Sequence, residues 1–445
     1  MSSEPAESRS SQIGAVPDMD GLTNVRLLVP DMHGVSRAKT VTPDMLRGIG
    51  EDGHSWPSPL LAADLWQNIP DDSMEILGTG DVSIFPIFET FTRLPWSPST
   101  GVVICEAFRE DHLPAPTPRG VLTRVLDDAR QTDYELKIGA ELEFFIYTDD
   151  EHGRPPFGMN EWFTSQAISR ISGFVEDLYR FLPAMGLPLY EVLNEHAAGQ
   201  MEINMRPGVG VAAIDTFTVM KLAIKEVAAL HGLRVTTMCK PSNDAECATS
   251  GLHIHQVLHR ADDNAFLDTQ SGAPGLNEVA TQYIAGQLEH APAITAFAAP
   301  TVNAYKRYRP GTWAPTRAGW GMDNRTAMVR GIVAGANTRV ENRIGASDAN
   351  PYLLVAAQAA AGIDGIRKTL KASEPASHNI IDDETYAQVP LNLPDAIRAL
   401  DQDTELVEAM GAEFCQHFLA VQQMVWDRYQ DHVSDWEIRE YLNVL

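Results

Sequence analysis

Hydrophobic and polar residues alternate along several short segments near the start of the chain. This alternation predicts strands at residues 24–29 and 35–41, and the Pro, Asp and Gly residues between them predict a turn. Further strands are predicted at residues 82–88 and 102–108, between segments rich in Gly, Pro and Ser. The first 110 or so residues therefore predict a small, mostly β domain that begins with a hairpin.

Longer segments with helical spacing begin beyond a proline-rich stretch at residues 113–118. The first predicted helix covers residues 121–130, with Thr117 as its N-cap and Pro118 at the first helical position. The pattern then predicts strands at 137–148, 199–205 and 252–258, and helices at 162–185, 214–231, 275–291, 352–371 and 405–431. We therefore divide the chain into a disordered tail at 1–15, an N-terminal domain at 16–112 and a larger domain at 113–445.

Amino-acid composition limits the classes of protein to which this chain can belong. The 445 residues are 44% hydrophobic and 21% charged, as in globular proteins, and 34 basic against 60 acidic residues give a net charge of −26. Because so acidic a surface repels phosphate backbones, we expect no nucleic-acid partner. The sequence has no secretory signal, no apolar run long enough for a membrane span and no CxxC pair, so we expect a reduced, soluble protein of the cytoplasm without a membrane partner.

Carboxylates on predicted strands are the first candidates for chemistry. Glu141 and Glu143 alternate with apolar residues, so a strand places both side chains on one face. A solvent-facing strand edge shows the same pattern, so this segment alone leaves both interpretations open. Glu195 and Glu202, on either side of Gly199, supply two further carboxylates.

Two other predicted strands carry polar residues at every second position. His253 and His255 share one face, opposite two apolar residues, as ligands that converge on one site would. Arg339, Glu341 and Arg343 likewise share one face of a later segment. Such a charged face is costly to bury unless its groups are paired.

The donor types favour a particular chemistry. Several carboxylates with one or two histidines suit Mg²⁺ or Mn²⁺ better than zinc. Five arginines supply guanidinium groups that bind phosphates and carboxylates: Arg307, Arg325, Arg330, Arg339 and Arg343. Metal ions and arginines together are typical of phosphoryl transfer, while the absence of GxxxxGK[ST], GxSxG and HExxH excludes a P-loop and two common classes of hydrolase.

Seven motifs, in this order, resemble those of the glutamine synthetase family and span most of the chain. They are GAELEFFIY (139–147), NEHAAGQMEIN (194–204), SGLHIH (250–255), NAYKRYRPG (303–311), DNRTAMVR (323–330), RVENR (339–343) and ANPYL (349–353). VPDMHGVSRAK (29–39) resembles the N-terminal β-grasp hairpin of the family, and SDWEIREYL (434–442) resembles its C-terminal helix.

The resemblance implies an α+β fold, with a β-grasp domain at 16–112 and a catalytic ATP- and glutamate-binding domain at 113–445. In the family, the catalytic domain has a curved antiparallel sheet with surrounding helices. The implied activity is an ATP-dependent ligase that acts through γ-glutamyl phosphate, with two to three Mg²⁺ or Mn²⁺ ions per site. The implied assembly is a homo-oligomer, a dodecamer with active sites between subunits.

The resemblance also implies a role for each motif side chain. One cation would be held by Glu143, Glu195 and Glu202, and another by Glu141, His253 and Glu341. Glutamate would be bound by Arg307, Arg343, Gly251 and Glu143, and the nucleotide by His255, Arg325, Arg330 and Arg339. The implied catalytic residues are Arg325, Arg307 and Asp52.

Two departures from the family pattern change the expected amine. Ammonia-using members carry a flap carboxylate two residues after Pro-Gly, where this chain has Trp313. Asp52 and Ser55 lie in a segment that resembles the DGSS motif of the family, with His54 for one Ser, and join Trp313 in the expected amine pocket.

A tryptophan supplies an apolar or cation–π wall but cannot attract ammonium as a carboxylate does. We therefore expect a ligase for an organic amine: a polyamine, ethanolamine, an alkylamine or an arylamine. A true glutamine synthetase that uses ammonia and a catalytically silent oligomeric relative are the alternatives.

Overall fold

The computed structural model describes residues 15–243, 248–268, 275–309 and 311–445. Most of the predicted tail at 1–15 and the whole of Cys247 and Pro310 lie outside the described residues. Within the described ranges, no helix is both long enough and apolar enough to cross a membrane. Cys105, Cys239 and Cys415 are free thiols and are buried.

The N-terminal part of the chain contains six strands and two helices. In chain order they are β1 (Asn24–Pro30), β2 (Ser36–Val41), α1 (Pro43–Asp52), β3 (His54–Pro57), α2 (Asp71–Leu77), β4 (Asp81–Pro86), β5 (Thr92–Leu94) and β6 (Ser97–Phe108). The strands form one sheet in the order β2-β1-β6-β4-β3, with β5 paired to β6. The predicted hairpin is confirmed, because β1 and β2 pair antiparallel from Val25 opposite Val41 to Pro30 opposite Ser36.

The remainder of the chain alternates between strands and helices. The first half comprises α3 (Pro118–Arg130), β7 (Glu135–Thr148), α4 (Ser165–Arg170), α5 (Ser172–Ala184), β8 (Leu189–Asn194), β9 (Gln200–Met205), β10 (Gly208–Val209), α6 (Gly210–Leu230), β11 (Leu233–Thr236) and β12 (Leu252–Arg260). The second half begins with β13 (Asp263–Asn264), β14 (Leu267–Asp268), β15 (Gly275–Leu276), α7 (Glu278–Glu289), α8 (Ala291–Ala298), β16 (Trp320–Met322), β17 (Val329–Ile332) and β18 (Arg339–Asn342). It ends with α9 (Pro351–Arg367), α10 (Leu393–Gln402), α11 (Thr404–Met410), α12 (Ala412–Asp431) and α13 (Asp435–Tyr441).

Ten of these strands form a second sheet, which makes the fold α+β as predicted. The main path is β16-β17-β18-β12-β7-β9-β8, with β10 and β11 paired to β7 and β13 paired to β12. Neighbours are antiparallel except β16 and β17. A twisted sheet of this width curls. The domain boundaries at residues 112 and 113 stay a prediction.

The long strand β7 shows how the sheet separates core from site. Ile138, Ala140, Leu142 and Phe144 are buried on one face, in the main hydrophobic core with the helices. Because strand residues alternate, Glu141 and the other odd-numbered positions point to the opposite face. The helices α3, α6, α7 and α9 cover the apolar side of the sheet.

A buried ionic network joins the N-terminal sheet to three helices. The Arg119 guanidinium on α3 donates from Nε and Nη2 to the two carboxylate oxygens of Asp215 on α6, both at 2.9 Å. Tyr352 Oη on α9 donates to Asp215 Oδ1 at 2.8 Å, and Arg119 Nη1 lies 3.4 Å from Glu106 Oε2 on β6. These groups are at most 8% exposed, so a lost partner cannot be replaced readily by water.

Three predicted helices are wrong in extent. The helix predicted at 162–185 is two helices, because Ile171 leaves helical geometry (φ −119°, ψ 23°) before Ser172 and Gly173, which are weak helix formers. The helix predicted at 405–431 is divided at Gly411, whose φ of +93° only glycine adopts readily. The segment predicted as a helix from 275 starts as β15, and Asn277 caps α7 by accepting from Ala280 N.

The helix predicted at 121–130 is confirmed and begins at Pro118. Thr117 Oγ1 accepts a hydrogen bond from Gly120 N, as an N-cap side chain should. The strands predicted near 137–148, 199–205 and 252–258 are also confirmed as β7, β9 and β12.

Removal of the central carboxylate of the ionic network should destabilise the fold. We expect Asp215→Ala to lower the free energy of unfolding by roughly 3–5 kcal/mol, because it leaves the Arg119 charge buried without its main partner. Arg398→Ala, which removes one partner of an exposed pair with Asp395, should cost less than about 1 kcal/mol. Denaturant unfolding of the two variants measures the difference, and equal losses would contradict the role of the network.

Candidate active site

Strand register brings the predicted carboxylates and histidines together on one face of the large sheet. Glu143 on β7 lies opposite Glu202 on β9, and Glu141 on β7 lies opposite His253 on β12. His253 Nδ1 is 3.6 Å from Glu141 Oε2, and His253 Nε2 is 3.9 Å from Glu143 Oε1. We call these side chains, together with Glu195, His255 and Glu341, the carboxylate cluster.

The strand β18 brings the last members to the cluster. Glu341 lies opposite His255 on β12 and is fully buried. Glu341 Oε1 is 3.7 Å from His253 Nδ1, and His255 Nε2 is 2.7 Å from Glu141 Oε1. Both histidines therefore lie between carboxylates. One ligand atom each from Glu141, His255 and Glu341 lie within 4.8 Å of one another, as a shared cation requires.

Glu195 enters the cluster from the loop between β8 and β9. Glu195 N donates to Gln200 O at 2.8 Å, and the Glu195 carboxylate accepts from His196 N at 3.1 Å. The turn needs Gly199, whose φ is +69° and where a Cβ would stand 2.6 Å from Ile146 O. The local backbone geometry thus directs this carboxylate towards the other acids of the carboxylate cluster.

Burial and mutual repulsion perturb the acids of the cluster. Burial, with the charges of Glu141 and Glu143, raises the pKa of Glu202 to about 9. Burial and the charge of Glu143 raise the pKa of Glu195 to about 7. Crowded carboxylates that retain protons are groups that a divalent cation would stabilise in the charged form, so the donor set fits Mg²⁺ or Mn²⁺.

Two other carboxyl groups of the cluster, those of Glu141 and Glu341, lose their protons more readily. Burial favours the neutral form of Glu141, yet the imidazoles of His253 and His255 outweigh it and hold the pKa of that carboxyl well below its usual range. At Glu341 burial is likewise outweighed, chiefly by Arg343, so its pKa is about 2. Burial, helped by the charge of Arg343, lowers the pKa of His253, which leaves a neutral imidazole of the kind that binds metals.

Arginines surround the cluster. Arg343 Nη1 donates to Glu341 Oε1 at 2.6 Å, and Arg330 Nη1 donates to Glu341 Oε2 at 3.0 Å. Arg307 Nη2 lies 3.2 Å from His253 Nε2, and Arg339 Nε donates to His255 Nδ1 at 3.0 Å.

Arg325 is exposed on the loop between β16 and β17. Its backbone carbonyl accepts from Arg343 Nε at 3.2 Å, and its charge acts on Glu195. The structure thus brings this arginine and the four others predicted from the sequence close to the acids.

At Gly251 the backbone passes close to the side chains of the cluster. Gly251 N donates to Glu143 Oε2 at 2.7 Å, and a Cβ at this position would stand 2.6 Å from Arg307 Nη2. Only glycine therefore leaves room for the guanidinium beside this backbone.

The residues predicted for the amine pocket lie on separate segments of the chain. Trp313 is 64% exposed and has a φ of +58°. Asp52 ends α1, and Ser55 lies on β3, where its hydroxyl donates to Asp81. Within the described residues, neither Asp52 nor Ser55 forms a hydrogen bond or ion pair with the carboxylate cluster.

Two side chains near the cluster were not predicted. Trp162 hydrogen-bonds the Glu195 carboxylate, meets His196 edge to face at 5.4 Å and stacks on Phe163 at 5.0 Å. Gln200 Nε2 lies 3.3 Å from Glu143 Oε2 and donates to Ser250 Oγ at 3.1 Å. The helix predicted at 162–185 includes Trp162, so the sequence pattern does not single out this side chain. Thr164, which caps α4, indicates that the helix starts later in the chain.

A second group of cation-type ligands lies beside a cavity of about 1060 Å³ between α3, α9 and α11. His290, Asp364 and Glu405 present ligand atoms within 4.8 Å of one another. Lys368 Nζ is 2.9 Å from Asp364 Oδ2 and also contacts Glu405. Because the ammonium group of Lys368 already contacts both carboxylates, we assign no cation to this group.

Comparison with known proteins gives consistent matches. The family model described as glutamine synthetase, catalytic domain, matches residues 115–441. A glutamine synthetase of Clostridium saccharobutylicum is 33% identical over 378 residues, which cover 82% of this chain and 85% of that protein.

Solved structures match along the whole chain. One described as apo GmaS without ligand has a TM-score of 0.84 at 29% identity, and the match covers 100% of both chains. A GmaS/ADP complex gives the same TM-score, identity and coverage.

Cation binding should release protons from the cluster. Because Glu202 and Glu195 must ionise to act as ligands, the affinity for Mn²⁺ should rise from pH 6 to pH 8, by up to about tenfold per pH unit for each of the two acids at pH values below its raised pKa. Electron paramagnetic resonance titration measures free Mn²⁺ at each pH. Glu202→Gln should weaken binding and flatten the pH dependence, whereas an affinity that stays constant over this range would contradict the proton release.

Proposed function

We propose that this chain, which belongs to the glutamine synthetase family, is an ATP-dependent ligase that joins the γ-carboxyl group of glutamate to an organic amine. In the first step the γ-phosphoryl group of ATP passes to the glutamate γ-carboxylate, which gives γ-glutamyl phosphate and ADP. The amine nitrogen then attacks the carbonyl carbon, phosphate leaves and the nitrogen loses a proton. Phosphorylation is needed because a carboxylate oxygen is otherwise a poor leaving group.

The carboxylate cluster is assigned to cations in this proposal. Glu143, Glu195 and Glu202 would hold one Mg²⁺ or Mn²⁺ ion, and Glu141, His253 and Glu341 would hold another. The position of His255, 2.7 Å from Glu141, adds it to the second group. Bound divalent cations would neutralise phosphate charge during transfer. This assignment is supported by the crowding of acids and by the neutral form of His253.

The arginines bind and orient the anionic substrates in the same proposal. Arg307 and Arg343, with Gly251, would bind glutamate, while Arg330 and Arg339 would contact the nucleotide. The exposed side chain of Arg325 is free to reach the transferring phosphoryl group, where its charge would stabilise the transition state. Arg330 and Arg343 are paired with Glu341, so both guanidinium groups lie beside an acid that is assigned to a cation.

The single observation that favours an organic amine is the flap segment around Trp313. No acidic residue occurs between Glu289 and Asp323, whereas Lys306, Arg307 and Arg309 precede Trp313. A segment of this charge repels any cationic amine and has no carboxylate that would bind ammonium, whereas an exposed tryptophan offers a surface that organic substituents contact. Trp162, which hydrogen-bonds Glu195, supplies a second aromatic surface at the cluster.

Asp52 and Ser55 belong to the proposed active site only when copies of this chain assemble into an oligomer. Asp52 ends α1 and Ser55 lies on β3, so both belong to the N-terminal part of the chain, and within the described ranges neither contacts the cluster of its own chain. We assign them to the amine pocket of a neighbouring copy in a homo-oligomer, a dodecamer, with Asp52 as the base that accepts the amine proton. We also propose a cytoplasmic location, in keeping with the three free thiols among the described residues.

The amine specificity is tested by phosphate release from the purified protein with ATP, Mg²⁺ and glutamate. The amines are ammonium, ethanolamine, putrescine, spermine, methylamine, isopropylamine and aniline. We expect turnover with one class of organic amine and near-background turnover with ammonium, because the flap lacks a carboxylate. Mass spectrometry of the product should identify the γ-glutamyl amide.

Other outcomes separate the alternatives. Turnover with ammonium alone would identify a true glutamine synthetase, as the names of the curated relatives suggest for those proteins. No turnover with any amine, together with intact ATP binding, would favour a catalytically silent relative that binds nucleotide.

Replacement of the flap tryptophan should change the amine preference. Trp313→Glu should lower kcat/KM for the organic amine about tenfold, as expected for loss of ~1–2 kcal/mol of cation–π and apolar contact. It should also raise turnover with ammonium, because the new carboxylate attracts that cation. Trp313→Phe is the matched control and should keep the organic preference. An unchanged ratio of the two kcat/KM values in Trp313→Glu would mean that Trp313 does not contact the amine.

A further inference from the structure

A network of buried amides lies directly behind the carboxylate cluster, on the helix side of the large sheet. Gln256 follows His255 on β12, and Asn342 follows Glu341 on β18. Because strand residues alternate, these two amides point away from the cluster while their neighbours point into it. Gln256 and Asn342 are at most 1% exposed.

Gln287 on α7 connects the two strands. Asn342 Nδ2 donates to Gln287 Oε1 at 3.0 Å, and Gln287 Nε2 donates to Gln256 Oε1 at 3.1 Å. The same Gln287 amide donates to the backbone carbonyl of Gln358 on α9 at 3.2 Å. One side chain with no solvent exposure therefore joins both strands to two helices.

Other hydrogen bonds complete the network. Gln256 Nε2 donates to Gln358 Oε1 at 2.6 Å, and the Tyr283 hydroxyl donates to Gln256 Oε1. Asn342 Oδ1 accepts from Ile344 N at 3.1 Å. Gln256, Gln287 and Asn342 thus use both their amide oxygens and their amide nitrogens.

Apolar side chains of the same size would fill this space without any cost of polar burial. Hydrogen bonds differ from apolar contacts because they are directional, so the bonds among Gln256, Gln287 and Asn342 specify one arrangement of the two strands, although Gln358 Nε2 is buried without a partner among the described residues. Cation ligands need this accuracy, since metal–ligand distances tolerate changes of only about 0.2 Å. A displacement of Gln256 or Asn342 along its strand would move His255 or Glu341 with it.

We propose that Gln287, through its hydrogen bonds to Gln256 and Asn342, is a positioning residue for the cation ligands on β12 and β18. The proposal rests on the cation-binding part of the proposed function and does not depend on which amine is used. Gln287 touches no substrate and acts only through the register and spacing of the two strands.

The test is Mn²⁺ binding by the full-length protein in the absence of ATP, glutamate and amine. Gln287→Met keeps the length of the side chain and removes its three hydrogen bonds. We expect it to bind Mn²⁺ about tenfold more weakly, as is typical when an outer partner of a metal ligand is lost. Electron paramagnetic resonance measures the binding, and thermal unfolding measures stability on the same samples.

A matched control separates positioning from general loosening of the core. Ile284→Val removes one methylene from a fully buried side chain on the same helix and leaves the network intact. It should lower the unfolding temperature while keeping the parent affinity for Mn²⁺. Equal loss of affinity in Ile284→Val and Gln287→Met would overturn the proposal, as would parent affinity in Gln287→Met.

A second variant keeps the test decisive if Gln287→Met does not fold. Asn342→Leu breaks the bond to Gln287 from the other side and should also bind Mn²⁺ about tenfold more weakly. When both single variants fold, the double variant should lose less affinity than the two single losses added together, because both remove the bond between Gln287 and Asn342. Additive losses, or parent affinity in Asn342→Leu, would overturn the proposal. Failure of the parent protein to bind Mn²⁺ would instead overturn the cation assignment itself, and this inference with it.

Discussion

Repulsion between carboxylates that face each other across neighbouring strands is the constraint on which this structure depends. Glu143 lies directly opposite Glu202, and Glu141 is one pleat away on the same face. Like charges placed opposite each other destabilise a strand pair, so this arrangement must be balanced by other groups. In the described residues the balance comes from protonation of Glu202, from the imidazoles beside Glu141 and from two arginines on Glu341. Divalent cations would replace the protons with a stronger countercharge.

The remainder of the fold keeps these acids in place despite their repulsion. The opposite face of β7 is apolar and packed under helices, so strand separation would expose core residues such as Ile138 and Phe144. Gly251 and Gly199 let backbone approach Arg307 and Ile146 closely enough to complete the cluster. Burial of apolar side chains elsewhere therefore offsets the repulsion between the crowded carboxylates, as is common where function requires a locally unfavourable arrangement.

Period-two patterns were sufficient to predict much of this site. They placed Glu141 with Glu143 and His253 with His255 on shared faces, and the family motifs linked these segments. Strand register was not predictable, since the pairing of Glu141 with His253 joins residues more than a hundred positions apart. Trp162 was missed because the spacing of apolar residues predicts one helix over 162–185, and this spacing does not show the break at Ile171, before the weak helix formers Ser172 and Gly173. The amides of Gln287 and Asn342 gave no signal, because a buried network is visible only when helices and strands are assembled.

Aromatic surfaces can distinguish an organic amine from ammonium, whereas charge cannot. Ammonium and a protonated organic amine carry the same charge, so the carboxylates of the cluster attract both. Selectivity is a difference between two affinities and must come from groups that interact with only one of the two cations. Trp162 and Trp313 are 49% and 64% exposed, so both retain apolar surface that an organic substituent could cover and ammonium could not. The basic residues beside Trp313 repel both cations equally, which leaves contact with the aromatic rings as the term that separates them.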